Sequence, residues 1–227
     1  MKNRTINLAV VAEVAKALGE LNESVVFVGG AIVSVYADDP AADTVRPTED
    51  IDLTIKIMDI KQSDFDKQLA EKGFHPDIQG HAICSYKYND IAVDIMAATD
   101  TMRGPTNRWY SVGFDSLENI QIEDQTISIL SAPCFLATKF EAYKHRGNDD
   151  YRTSHDFEDI VYVLDNRTTI IDEIEQADKR VKEFLKLELK QVINNPYAEE
   201  IISAHLNPLI LEDRYSMLFE KIKNIIS

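Results

Sequence analysis

The sequence predicts an α/β (α+β) fold, a short mixed β-sheet with helices, that passes into an all-helical second half. Three observations carry that expectation. A short apolar run, Val25-Val26-Phe27-Val28, ends in Gly29-Gly30. Strict alternation of apolar and polar residues follows over Asp50 to Ile57. From Pro133 onward the periodicity is helical almost without pause, and no glycine follows Gly147. We therefore divide the chain near residue 130, into an α/β half over 1–130 and a helical domain over 131–227. At 227 residues the chain suits one large domain or two small ones, given roughly 100–200 residues per domain.

Each element has its own signal. Ile6, Val10, Val14 and Leu18 recur at helical spacing, so residues 6–20 read as a helix. Val25–Val28 is a buried strand, and AIVSVYA a helix that starts at the glycines. Two prolines and several polar residues make Asp38 to Pro47 a loop. In the next strand Ile51, Leu53, Ile55 and Ile57 face one way, and Asp50, Asp52, Thr54 and Lys56 the other. An amphipathic helix is expected over 60–73. ICSYKY and IAVDIMA then flank Asn89-Asp90, a dipeptide suited to a tight hairpin turn. Signals weaken from Thr101 to Ser131, where ENIQIEDQTISIL suggests a strand pair. CFLATKFEAYKHR, SHDFEDIVYVLD, a long segment from Ile170 to Val192 and two further helices complete the reading.

Composition excludes several classes of protein. With 44% hydrophobic and 28% charged residues the chain is neither disordered nor fibrous. Cys84 and Cys134 form no CxxC pair, so they read as buried, reduced thiols rather than a zinc site or a disulfide. The first twenty residues lack the roughly 18-residue apolar run of a membrane span, so a cytoplasmic protein without a membrane partner is expected. A net charge of −15 disfavours broad electrostatic binding to nucleic acid, which depends on Lys and Arg.

The chemistry-bearing pattern lies on the alternating strand. Asp50 and Asp52 leave the same face, roughly 7 Å apart at Cα from a rise of about 3.3 Å per residue. Asp94 repeats this arrangement on a second expected strand, opposite Ile91, Val93 and Ile95. Three carboxylates on one open face suit Mg²⁺, which takes oxygen ligands and accepts substrate phosphates beside them. A two-ion arrangement of this kind activates a hydroxyl and stabilises a leaving pyrophosphate. The Gly29-Gly30 turn lets backbone N–H groups approach phosphate oxygens at a helix start.

The order strand, Gly29-Gly30, helix, Arg46-x-Thr48-x-Asp50-Ile51-Asp52-Leu53 and a later Asp94 resembles the DNA polymerase beta-type nucleotidyltransferase superfamily. Lys139-(x6)-Arg146 followed by Asp156-Phe157-Glu158-Asp159-Ile160 resembles its abortive-infection branch, the AbiEii-like group that includes the MenT-type toxins. The resemblance implies a Mg²⁺-dependent transfer of a nucleoside monophosphate from an NTP to an acceptor hydroxyl. It implies that Asp50 and Asp52 bind metal, and that Asp94 is the third carboxylate and base. It places Gly29, Gly30, Ser34, Arg46, Thr48, Lys139 and Asp156 at the nucleotide, with Lys139 on the triphosphate and Asp156 near that lysine. It further implies a tRNA or protein acceptor and an antitoxin partner. An antibiotic-like small-molecule acceptor and a non-catalytic nucleotide-binding module are the alternatives, and the nucleotide is expected between the two halves.

Competing readings exist for several residues. Lys139, Arg146, Asp156 and Asp159 could instead decorate solvent-facing helices. Trp109 and Tyr110 beside Arg108 could stack on a base, but packing is favoured. Lys179, Lys182, Lys186 and Lys190 form a stripe at helical spacing that is either an RNA-facing surface or a solvated face.

Overall fold

A computed structural model describes residues 2–48, 50–55, 62–78, 84–98, 107–146 and 150–227. The chain separates into two compact units, Met1–Ile32 with Thr44–Ser131, and Val33–Asp43 with Ala132–Ser227.

The first unit holds one seven-stranded mixed sheet in the order β3-β4-β5-β2-β1-β7-β6. Its strands are β1 (Val25–Val28), β2 (Asp50–Ile55), β3 (Phe74–Pro76), β4 (Ser85–Tyr88), β5 (Ile91–Ala97), β6 (Leu117–Ile122) and β7 (Gln125–Leu130). β2 runs antiparallel to β1 but parallel to β5, and β1 runs parallel to β7. The β4–β5 turn carries a backbone its residues favour, whereas the β6–β7 turn holds Glu123 at φ 53°. Asn89, with φ 52°, links β4 to β5, and asparagine tolerates the left-handed region better than most residues. The expected strand pair near residue 120 is the β6–β7 hairpin.

Among the described residues three α-helices belong to this unit: α1 (Lys2–Leu18), α2 (Gln62–Glu71) and the short α3 (Trp109–Gly113). The apolar face of the sheet, with Ile51, Leu53, Val93 and Ile95, is buried. Tyr86, on that side of β4, donates its hydroxyl to Asp66 of α2 at 2.8 Å, which places α2 opposite the acidic face. The buried stripe of α1 differs from the sequence expectation. It is Asn7, Val11, Val14 and Leu18, whereas Ile6 is 48% exposed. Counting only apolar residues shifted the stripe by one position at its start, because a polar residue occupies the core-facing site.

The second unit contains α4 (Ala132–Arg146), α5 (His155–Asn166), α6 (Ile170–Gln176), α7 (Lys179–Ile193), α8 (Ala198–Ser203) and α9 (Leu211–Ile226). Ser154 caps α5, its hydroxyl accepting from the Phe157 amide at 3.3 Å. The expected single segment from Ile170 to Val192 is two helices. Asp178 restarts the chain as an N-cap, its carboxylate accepting from the Arg180 amide at 2.9 Å. Residues 33–43 are tied to the helices. Tyr36 packs on Phe135 with ring centroids 4.5 Å apart, and the Asp38 and Asp39 amides both donate to the Asn166 carbonyl at 3.1 Å. Arg214 of α9 donates to Asp39 at 2.8 Å and to Asn166 at 2.6 Å.

Cys84 and Cys134 are buried thiols not joined in a disulfide, as expected. Among the described residues no helix is long and apolar enough to cross a membrane. The residues expected to end β2 and begin α2, 56–61, and residues 101–106 of the weak-signal stretch lie outside the described residues.

Candidate active site

The parallel pairing of β2 with β5 sets Asp52 directly beside Asp94, and Asp50 beside Ala92. Paired residues share a face of the sheet, so the period-2 spacing within β2 and the register across to β5 bring all three carboxylates together. Each offers an oxygen, and these oxygens lie within 4.8 Å of one another. Asp50 is exposed while Asp52 and Asp94 are half-buried. The open face is short: Thr54, the next residue on it, is fully buried.

β1 borders this face, with Val28 paired to Asp52, and the chain leaves the strand through Gly29. Gly29 has φ 75°, a conformation that L side chains rarely adopt. A Cβ there would overlap the Asp52 carboxylate. At Gly30 a Cβ would lie 2.7 Å from Nη2 of Arg46 and 3.2 Å from the Thr48 methyl. The two glycines therefore make room for Asp52 on one side and for the Arg46 guanidinium on the other. The helix expected to begin at the glycines is a 3₁₀-helix over Gly30–Tyr36, tighter than an α-helix. Sequence reasoning missed Asn7. Its side-chain amide donates to the Arg46 carbonyl at 3.1 Å and accepts from the Thr48 amide at 3.4 Å.

No protein-family model and no curated protein sequence matches the chain. Among solved structures it is similar to an antigenic nucleotidyltransferase-like protein from Paracoccidioides brasiliensis, at 19% sequence identity and a TM-score of 0.52. That similarity extends over 90% of this chain and 95% of that one. The fold is nucleotidyltransferase-like.

Within this nucleotidyltransferase-like fold, the second-half residues singled out by sequence form a cluster of their own. Lys139 and Arg146 are seven apart on α4, and Asp156 and Asp159 three apart on α5, so each pair lines one stripe of its helix. Lys139, only 6% exposed at its side chain, sits 2.6 Å from Asp159 and 3.4 Å from Asp156. Arg146 forks onto Asp156 with two bonds of 2.8 and 2.9 Å. Lys139, Asp156 and Asp159 are buried rather than solvent decoration, whereas Arg146 reaches Asp156 from a largely exposed position. Burial pushes the Asp156 carboxyl up, but the hydrogen bonds and charges of Arg146 and Lys139 together outweigh it and hold it below its ordinary value. The lysine expected as a flexible point charge is engaged in a buried ion-pair network.

Ser34 is fully buried, so its hydroxyl is not presented to a solvent-borne phosphate in this conformation. Trp109 and Tyr110 are buried, and the Tyr110 hydroxyl points at the Met96 sulfur 4.0 Å away, which makes them packing residues. In the lysine stripe of α7, Lys182 and Lys186 both lie against Glu175, at 3.0 and 3.5 Å, and Lys179 against Glu183 at 3.7 Å. Much of its positive charge is locally compensated.

Proposed function

We propose that the protein is a Mg²⁺-dependent nucleotidyltransferase that moves a nucleoside monophosphate from an NTP to an acceptor hydroxyl. The observation that carries this reading is the convergence of Asp50, Asp52 and Asp94 oxygens within 4.8 Å. Three hard, anionic oxygen donors match the ligand preference of Mg²⁺, and the exposed position of Asp50 leaves room for phosphate oxygens to complete the shell. When bound there, Mg²⁺ supplies charge neutralisation at the triphosphate and lowers the proton affinity of the attacking hydroxyl.

The chain's own residues do the rest. Asp50 and Asp52 hold the cation site, and Asp94 accepts the acceptor proton. The acceptor oxygen forms its bond to the α-phosphorus as the α–β bridging bond breaks, and pyrophosphate leaves with the electron pair. Gly29 and Gly30 permit close backbone approach to the phosphates, and Arg46 beside them supplies a positive fork that suits phosphate oxygens. Thr48 sits at the mouth of the same turn. Lys139 and Asp156 belong to the nucleotide-binding set by resemblance, Lys139 toward the triphosphate.

The resemblance to the AbiEii-like, MenT-type branch supports a toxin-like enzyme with a tRNA or protein acceptor and an antitoxin partner. The net charge of −15 and the compensated lysine stripe favour a second reading, a small-molecule acceptor, because phosphate-rich RNA is attracted by uncompensated cations. The test is incubation with Mg²⁺ and each α-³²P NTP in turn, with total tRNA, a protein extract or an aminoglycoside as acceptor. Label on one acceptor class, absent with a folded Asp52→Asn variant, is the expected result. Label that persists in Asp52→Asn sinks the metal assignment. Binding of an NTP with no transfer to any acceptor points instead to a non-catalytic nucleotide-binding module.

A further inference from the structure

The buried stripe of α1 has an amide where a core residue belongs. Asn7 is 3% exposed in line with Val11, Val14 and Leu18, whereas its neighbour Ile6 is turned out to 48% exposure. Burying a carboxamide in place of an available isoleucine is unfavourable unless its donors and acceptors are used. One N–H and the carbonyl oxygen are used, both on one short segment. The Asn7 Nδ2 donates to the carbonyl of Arg46 and its Oδ1 accepts from the amide of Thr48, the two backbone groups on either side of Pro47.

Pro47 explains why a side chain is needed there. Residues 42–48 form no helix or strand, and Pro47 has no N–H to donate to a ladder. The side-chain amide of Asn7, with one donor and one acceptor on the same planar group, takes the place of a neighbouring strand. It fixes the residue whose guanidinium lies against Gly30 and the residue whose methyl does the same. We infer that Asn7 is a positioning residue for nucleotide binding, acting through Arg46 and Thr48 without touching the nucleotide. This rests on the reading of the acidic site given above.

Asn7→Leu keeps the shape of the side chain and removes both hydrogen bonds. Because leucine suits a buried stripe, its melting temperature should be close to that of the native chain. Three quantities are read. Affinity for the four α,β-methylene NTPs, with Mn²⁺ present, should fall about tenfold, the scale expected for two lost hydrogen bonds. Affinity for Mn²⁺ alone should stay within about twofold, since no carboxylate is touched. Exchange of the Thr48 amide with solvent deuterium should rise about tenfold.

A double-mutant cycle with Arg46→Ala separates positioning from a general structural role. If Asn7 acts through Arg46, Asn7→Leu changes nucleotide affinity less than about twofold in the Arg46→Ala background. Fully multiplicative effects, or unchanged affinity in Asn7→Leu, overturn the inference. If the native chain binds none of the four analogues, the nucleotide-site reading fails, and the Thr48 exchange rate still decides whether the clamp exists. Should Asn7→Leu not fold, Asn7→Ala is read in the same way.

Discussion

Replacing Gly29 by alanine tests the central claim about the glycine turn, that it exists to accommodate Asp52. Two penalties add. Holding a Cβ-bearing residue at φ 75° costs about 1–2 kcal/mol in the left-handed region. The new Cβ also overlaps the Asp52 carboxylate, and turning that side chain away from its preferred rotamer costs about 0.5–1.5 kcal/mol. Together these give about 1.5–3.5 kcal/mol, which for a chain of this size lowers the melting temperature by about 3–14 °C. The second penalty also displaces one of the three carboxylates of the proposed cation site, so affinity for Mn²⁺ should fall about tenfold or more, as when the surroundings of a metal ligand are disturbed. Differential scanning calorimetry and Mn²⁺ titration followed by electron paramagnetic resonance read the two effects. Gly29→Asn separates them, since asparagine tolerates the left-handed backbone but still brings a Cβ against Asp52. Gly29→Ala with unchanged melting temperature and unchanged Mn²⁺ affinity would refute the reasoning.

The buried cluster of the helical unit gives two more expectations. Lys139→Met leaves the Asp156 and Asp159 carboxylates without their buried cation, at about 3–5 kcal/mol, or about 6–20 °C in melting temperature. A loss below 2 °C by calorimetry would show that the pair is not held as described. Asp156 makes stability pH-dependent in a definite direction. Its folded-state value lies below the ordinary 3.8, so its contribution is complete above that pH and is lost as pH falls through the lower folded value. The Arg146 fork supplies the largest lowering, followed by the charge of Lys139; because Arg146 is 69% exposed, solvent screens part of its share. Chemical denaturation between pH 7 and pH 2 should show an acid limb that is shallower in Asp156→Asn.

Much of the acidic site was legible because it is written in a local period. Asp50 and Asp52 alternate with Ile51 and Leu53, and Asp94 alternates with Val93 and Ile95, so each strand announces which side is open. What period alone does not supply is that β2 and β5 are neighbours in a register that matches Asp52 to Asp94, a fact of tertiary pairing. Asn7 was invisible for a related reason. A polar residue in an apolar stripe looks like an interruption until its partners, some forty positions away at Arg46 and Thr48, are placed. The short elements β3 and α3, at 3 and 5 residues, fall below the length at which periodicity carries information. The break between α6 and α7 hides in a run whose apolar spacing continues across it. Only Asp178 at a capping position marks the restart.

Residues 33–43 leave the sheet unit, bind into the helical unit through Tyr36, Asp38 and Asp39, and return to begin β2. Each unit is thus assembled from two stretches of chain. A single cut after Ser131 would strip this eleven-residue excursion of Phe135, Asn166 and Arg214. It would do so just ahead of Arg46 and the acidic strand. In terms of gene architecture, neither half is a cassette that one breakpoint can insert or delete. Fusion, truncation and recombination at the obvious boundary would leave a tyrosine and two carboxylates searching for lost partners.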